Sequence, residues 1–341
     1  MKIYTESSQN QSSKFQPRFS LARVNTKRRC PECGKPNGCM VADDRTLCIR
    51  KPSDKPVRGG LGGWWHYRFT DSPLPKFAPP KPTSKSVNVP DVEHVDGVLT
   101  MLVRKCLVLS EPHKKSLLAR GLSDAEIERC GYRSTPSPIF ADRVARELSV
   151  YGLEGVPGFF KRGSEWRMKD SGPGIFVPVR DEHLRIVGLQ IRRDEGEPRY
   201  IWFSSSNYPH GTSSGAPIHC SRPYMLHNTN EVLITEGALK SDVTSFLLDA
   251  PIIAAAGVSN FGQDFATNLK AKFPNIKTCI IAFDSDWRIK LPVKTALERL
   301  MRNLSGVGFR VKVRTWPPHM GKGIDDYLLA LDSSQTNEVA A

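Results

Sequence analysis

From Glu231 onward the chain alternates short apolar runs with longer stretches of helical period, and this alternation restricts the fold more than any other feature. The runs EVLITE, PIIAAAG, KTCIIAFDSD and FRVKVRTW are followed in turn by ALKSDVTSFLL, FGQDFATNLKAKF, LPVKTALERLMRNL and IDDYLLAL. Apolar strands joined by helices imply a parallel sheet covered on both faces. Ligands of such sheets gather at the carboxyl ends of the strands.

Acidic residues sit at those ends. Glu236 closes EVLITE ahead of Gly237, Asp284 and Asp286 follow TCIIAF, and Asp325 and Asp326 follow Gly323 at a later strand-to-helix junction. Any one of these acids alone reads as a helix cap or a solvated charge. Together, from distant stretches of sequence but one end of one sheet, they form a rim suited to a hard divalent cation, Mg2+ or Mn2+. Two such ions can clamp the attacking and leaving oxygens of a phosphoryl transfer. Lys240 and Lys322 lie near two of these corners and are candidates for phosphate contact. Isolated surface lysines commonly have no chemical role.

The other end of the chain is a different kind of sequence. Cys30, Cys33, Cys39 and Cys48 fall in the pattern Cys-x2-Cys-x5-Cys-x8-Cys. A Cys-x2-Cys knuckle followed by Gly34 aims two thiolates at one tetrahedral ion, and a hairpin around Asp43 and Asp44 brings the last two sulfurs to it. The expectation is one structural Zn2+ in a small β-ribbon. Cys106, Cys130, Cys220 and Cys279 are scattered through apolar or helical stretches and read as reduced core thiols.

The net charge is +14, and residues 1–90 hold 17 Lys/Arg against 6 Asp/Glu. Clustered cations gain free energy by displacing counterions from phosphates, so the basic end points to a nucleic acid. Trp64 and Trp65 in GGWWHYRF set aromatic faces beside Arg68, a combination suited to unpaired bases. A small ribbon also recruits tryptophan as its own core.

Composition divides the chain further. Residues 1–25 lack any hydrophobic period and read as a flexible basic arm, 26–70 as the zinc-ribbon nucleic-acid-binding domain, and 71–92, with six prolines, as a linker. Residues 93–228 read as a helical and then strand-rich region. Apolar positions from Val98 to Leu107 recur at helical spacing, a helix from Glu111 stops at Gly121, and Ser123 with Glu126 caps a third. GIFVPVRD, RIVGLQIRR and RYIWFSS read as strands. The parallel-sheet domain occupies 229–333 and a tail 334–341. No run of about 18 apolar residues exists to span a bilayer and no apolar signal core opens the chain, so a cytoplasmic protein without membrane contact is expected.

The Glu-Gly after one strand, the Asp-x-Asp after another and the late Asp pair resemble the TOPRIM domain shared by DnaG-type primases, type IA and II topoisomerases and certain nucleases. The segment upstream narrows the resemblance. Val177-Pro178-Val179-Arg180-Asp181, Gly188, Arg192 or Arg193, and Pro198-Arg199-Tyr200 are similar to the N-terminal part of the DnaG-type RNA polymerase core. LLARGLSDAEIERCGYRS and GGWWH resemble primase-like proteins of plasmids, phages and other mobile elements. The resemblance spans residues 150–331 and, with the ribbon, keeps the order zinc ribbon, core, TOPRIM. Two features depart from it: four cysteines replace a Cys-His-Cys-Cys ribbon, and Gly-Ile-Asp-Asp stands where the family commonly shows Asp-Pro-Asp. Which of Asp325 and Asp326 would touch metal is therefore open.

The resemblance implies a multidomain α/β protein with a small zinc β-ribbon, a Pro-rich linker, a helical plus α+β primase-core subdomain and a TOPRIM parallel-sheet domain. It implies a nucleotidyltransferase that makes short RNA primers on single-stranded DNA from NTPs, for replication of a mobile element or phage. Asp284 and Asp286 would hold Mg2+ or Mn2+, Glu236 would bind metal or help deprotonate the 3'-hydroxyl, and Asp325 or Asp326 would shape the outer metal site. Arg192, Arg193 and Arg199 would line a ridge guiding template and nucleotide. No Walker motif occurs, HMGKGI lacking the upstream glycine and the hydroxyl residue, and the chain ends soon after the acidic region, so a separate replicative helicase is expected. A TOPRIM nuclease and a non-catalytic DNA-binding factor recruiting a replication or transposition complex are the alternatives.

Overall fold

The computed structural model describes residues 22–42, 45–53, 63–67 and 91–339. Most of the basic arm, nearly all of the proline-rich linker and the Trp65 side chain lie outside the described residues. The chain divides into two compact units, Met1–Thr83 and Ser84–Ala341.

In the first unit β1 (Ala22–Arg23), β2 (Met40–Val41), β3 (Arg45–Cys48) and β4 (Trp64–Tyr67) form an antiparallel sheet in that order. Strands β2 and β3 are the two arms of the expected hairpin, with Met40 opposite Leu47. Strand β1 falls within the segment read as an arm and pairs with β2. The buried cluster consists of Val24, Val41, Cys30, Cys39 and Cys48, with Cys33 packed on it. Most of that core is thiol, and so small an apolar core cannot stabilise a domain without a metal or a crosslink.

The second unit opens with α1 (Val92–Met101), started by Asp91, whose side chain accepts from the Glu93 amide, and followed by a wider turn over Leu102–Cys106. Next come α2 (Glu111–Leu118) and α3 (Asp124–Cys130). Ser123 accepts from the Glu126 amide at 3.2 Å, and Gly131 ends α3 in the left-handed region, φ 74°. Strand β5 (Arg133–Ser134), α4 (Pro138–Leu148) and the hairpin of β6 (Phe159–Arg162) with β7 (Glu165–Met168) follow. Strands β8 (Gly174–Arg180), β9 (Ile186–Arg193) and β10 (Tyr200–Trp202) complete an antiparallel sheet of order β10-β9-β8-β5.

Every residue of β8 is buried because both faces of this sheet are covered. Phe176, Leu189 and Ile191 pack under α1 and α4, whereas Ile175, Val177 and Val179 pack against α2, α3 and the next helix of the chain.

That helix belongs to the second sheet. Strand β11 (His219–Ser221) precedes β12 (Glu231–Glu236), α5 (Ala238–Leu248), β13 (Ile252–Ala255), α6 (Phe265–Lys272), β14 (Thr278–Ile281), α7 (Leu291–Gly306), β15 (Arg310–Val313) and α8 (Ile324–Val339). The order is β11-β13-β12-β14-β15; β12 to β15 are parallel and β11 is an antiparallel edge. The alternation of the sequence thus yields the parallel sheet, while three-residue β11 is too short to show a period. Helix α8 runs through part of the segment read as a tail. Val232, Ile234, Cys279 and Ile281 face α6 and α7, and Leu233, Ile252 and Ala282 face Ile324 of α8.

The connection from β12 leads to β13 on one side, and the connection from β13 crosses to β14 on the other. A crevice at such a reversal, outside the carboxyl ends of the strands, is where open α/β sheets bind ligands. Cys130, Cys220 and Cys279 are buried and Cys106 half-buried, as core thiols should be. Among the described residues no helix is long and apolar enough to cross a membrane.

Candidate functional site

The sulfurs of Cys30, Cys33, Cys39 and Cys48 all lie within 4.8 Å of one another. Cys33 is 3.8 Å from Cys39, and Cys39 is 3.9 Å from Cys48. A tetrahedron of Zn–S bonds about 2.3 Å long has edges of about 3.8 Å, so the four thiolates fit a zinc ion. Gly34 makes the knuckle, with φ 71° and its amide donating to the Cys30 carbonyl at 2.8 Å. The Lys51 amide donates to Cys48 Sγ at 3.2 Å and Arg50 reaches Cys39 Sγ at 3.7 Å, and such donors offset thiolate charge. Trp64 is half-buried on β4, opposite Cys48.

The second site lies at the crevice between β12 and β14. Glu236 ends β12, and its Oε1 accepts from the Asp284 amide at 3.2 Å, tying the two strand ends together. Lys240, one turn into α5, is ion-paired with Asp284 and stands 3.7 Å from Glu236 Oε1. Lys322 Nζ is 3.3 Å from the other Asp284 oxygen. Burial raises the Glu236 carboxyl, with Lys240 pulling against it and Asp284 adding to it. Burial acts the same way on Asp284, but Lys240 and Lys322 overcome it and hold that carboxyl below its usual range. Burial works against the Lys240 ammonium, which Glu236 and Asp284 nevertheless hold above its usual value.

The remaining acids are placed differently. Asp286 pairs with Lys290 at 2.6 Å, one turn on. Asp326 accepts from the Gly323 amide at 3.1 Å and so caps the start of α8. Asp325 is buried and faces the corner, one oxygen 3.3 Å from Arg120 and the other, Oδ1, without a hydrogen-bond partner. Among the described residues the cysteines are the one set in which three or more metal-ligating side chains converge. The structure therefore joins Glu236 with Asp284, while Asp286 and Asp326 make contacts of their own with Lys290 and the Gly323 amide. Two carboxylates still suit Mg2+, which takes one or two of them and completes its shell with water and phosphate oxygens.

A buried network fixes the helix that carries Lys240. Asp242 accepts from Tyr132 Oη at 2.6 Å, Ser221 Oγ at 2.7 Å and His219 Nε2 at 3.0 Å. The Arg180 amide donates to His219 Nδ1 at 3.0 Å, which leaves Nε2 as the ring nitrogen that donates to Asp242. Burial acts to raise the Asp242 carboxyl, and the His219 ring with the hydroxyls of Tyr132 and Ser221 overrides it and holds the group low. Strands β8 and β11, the α3–β5 turn and α5 are thereby locked together beside the corner.

With this geometry in view, the chain is similar to solved primase structures. The zinc-binding and RNA polymerase domains of Aquifex aeolicus primase match with TM-score 0.54 and 17% identity, over 72% of this chain and 59% of that one. A DnaG primase catalytic domain bound to single-stranded DNA matches with TM-score 0.52 and 16% identity, over 73% and 76%. The chain has the fold of a DnaG-type primase core. A primase domain from Pseudomonas aeruginosa matches likewise, with TM-score 0.54 and 17% identity over 71% and 77%. The chain spans less than two thirds of the Aquifex structure. A family model described as a domain of unknown function, DUF3854, matches residues 224–335, which include all five acids. No curated protein sequence matches the chain.

A basic hairpin stands near the corner. Arg192 and Arg193 end β9, and Arg199 precedes β10, where Tyr200 pairs with Arg192. Arg199 donates to the Asp194 carbonyl at 2.6 Å. Tyr200 is exposed overall but its hydroxyl is desolvated and so raised, and the charges of Arg120, Arg192, Asp325 and Lys240 all act on it, which puts the hairpin and the acids in one electrostatic neighbourhood. Sequence reasoning missed Arg120, Tyr132, His219 and Asp242. Arg120 follows a helix, where a cation reads as a dipole partner, and the other three carry no local pattern.

Proposed function

We propose that this protein is a primase, making short RNA on single-stranded DNA from NTPs by metal-dependent phosphoryl transfer, with residues 229–333 forming its TOPRIM domain. The observation that carries this reading is the meeting of Glu236 and Asp284 at the crevice of the parallel sheet, beside a basic hairpin, in a fold shared with primase catalytic cores. Glu236 and Asp284 would hold Mg2+ or Mn2+, which when bound supplies charge neutralisation for the triphosphate and the leaving oxygen. The Asp284 amide orients Glu236, and the network around Asp242 keeps α5 and Lys240 in register with them. Lys322, 64% exposed at its side chain, is free to turn toward a triphosphate. Arg192, Arg193 and Arg199 take template or nucleotide phosphates. Catalysis of this kind is mostly positioning and electrostatics. The ribbon binds the unpaired template, and the likeness of LLARGLSDAEIERCGYRS to primases of plasmids and phages supports a role in replicating a mobile element.

The test is RNA synthesis by the full chain on single-stranded DNA with labelled NTPs and Mg2+ or Mn2+. Short products are expected, and Asp284→Ala and Glu236→Ala should each lower their yield by about 100-fold or more. Cleavage of the DNA without synthesis would replace this reading with a nuclease, and tight DNA binding with neither activity would replace it with a recruitment factor.

A further inference from the structure

Lys240 is a cation that the fold builds into the acidic corner. Its side chain is 17% exposed, it pairs with Asp284, and it stands 3.7 Å from Glu236. A third carboxylate adjoins it. A Cβ on Gly323 would lie 2.2 Å from Asp325 Oδ1 and 3.0 Å from Lys240 Cε, so Asp325 and the lysine stem approach each other across a residue with no side chain. Asp325 Oδ1 is buried and accepts no hydrogen bond, which is costly for a carboxylate oxygen unless a positive charge compensates it. The charge of Lys240 acts on Asp325 as well as on Glu236 and Asp284. One ammonium thus serves three acids drawn from three strand-to-helix junctions.

A two-metal phosphoryl-transfer site fills such a space with two divalent ions about 4 Å apart. Here Glu236 Oε1 and one Asp284 oxygen already face Nζ, so a divalent ion held by these two acids has their other oxygens, and a second ion would meet the ammonium head-on. The Asp242 network, two residues along α5, restrains the helix from withdrawing it. We propose that Lys240 is a tethered monovalent cation occupying one of the two positions of a two-metal site, so that the corner binds a single divalent ion. The inference rests on reading the corner as a metal site. Its consequence is a corner whose acids stay together, with their charge offset, when no divalent ion is bound.

The experiment is a titration of the zinc-loaded full chain with Mn2+, followed by the electron paramagnetic resonance signal of the free ion. One Mn2+ per chain is expected, lost in Asp284→Asn. Lys240→Met should bind a second Mn2+ or bind the first about tenfold or more tightly, since a facing unit charge is removed at short range, and Lys240→Arg should keep one. Two Mn2+ in the unaltered protein would overturn the inference while leaving the metal site standing, and this holds even if Lys240→Met does not fold. No bound Mn2+ would overturn the metal-site reading and the inference with it. Unchanged number and affinity in a folded Lys240→Met variant would also overturn the inference.

Discussion

The ribbon gathers its ligands from one short stretch, Cys30 to Cys48, whereas the acidic corner draws Glu236, Asp284 and Asp325 from three separate strand-to-helix junctions. The ribbon's cysteines are most of its own core, and the four sulfurs, within 4.8 Å of one another, can all be thiolates only when a cation binds them. The corner stands on a sheet packed on both faces, and its negative charge is already met by Lys240, Lys322 and Arg120. A ligand set that is local in sequence can depend on its metal for folding. A set assembled by a large core does not have to.

The sharpest way to break this contrast is to remove the zinc. Structural zinc sites contribute on the order of 10 kcal/mol or more of apparent folding free energy. Chelation, or Cys39→Ser, should therefore abolish the folded ribbon, seen as loss of dispersed amide signals for residues 30–48. The melting of the second unit should stay unchanged, and a common loss of both would refute the contrast.

Asp242→Asn should have the next largest effect, confined to the second unit. It leaves the donors of Tyr132, Ser221 and His219 facing a neutral amide, and a buried polar mismatch of this kind costs about 2 to 3 kcal/mol. The Asp242 carboxyl is held below its usual range, so its contribution is complete above about pH 4 and fades as the pH falls toward its folded-state value. Urea unfolding should show the gap between wild type and variant constant near neutral pH and narrowing in acid. A gap that widens in acid would contradict the assignment.

Gly323→Ala should act least. The new Cβ must displace the Asp325 carboxylate and the lysine stem, both ends of flexible side chains, at a cost of about 1 kcal/mol. A melting temperature a few degrees lower is expected, and an unchanged one would mean that the close approach of Asp325 to Lys240 is not maintained in solution.

The same contrast explains what the sequence could tell. The ribbon is legible because its chemistry is written in contiguous residues: Cys-x2-Cys and Gly34 declare a knuckle, and the hairpin follows. The parallel sheet is legible because burial on both faces leaves uninterrupted apolar strands such as β12. The acids at its strand ends can be named from sequence, but not which of them meet. Asp286 and Asp326 stand in the same motifs as Asp284 and Asp325, yet one pairs with Lys290 and the other caps α8. Lys240 could be named as a cation near the corner, but its burial among the carboxylates depends on α5 being wedged between two sheets. Arg120 and Asp242 owe their places to contacts with residues far along the chain, Asp325 and Tyr132, which no local pattern announces.

If the protein assembles the corner and a metal assembles the ribbon, amide hydrogen exchange on the full chain stripped of zinc and divalent ions separates the two regions. Amides of 231–236 and 278–284 should keep the protection they have in zinc- and Mg2+-loaded protein, while those of 39–48 exchange at the rate of an unfolded chain. Loss of protection at both places, or its persistence at both, would contradict that separation.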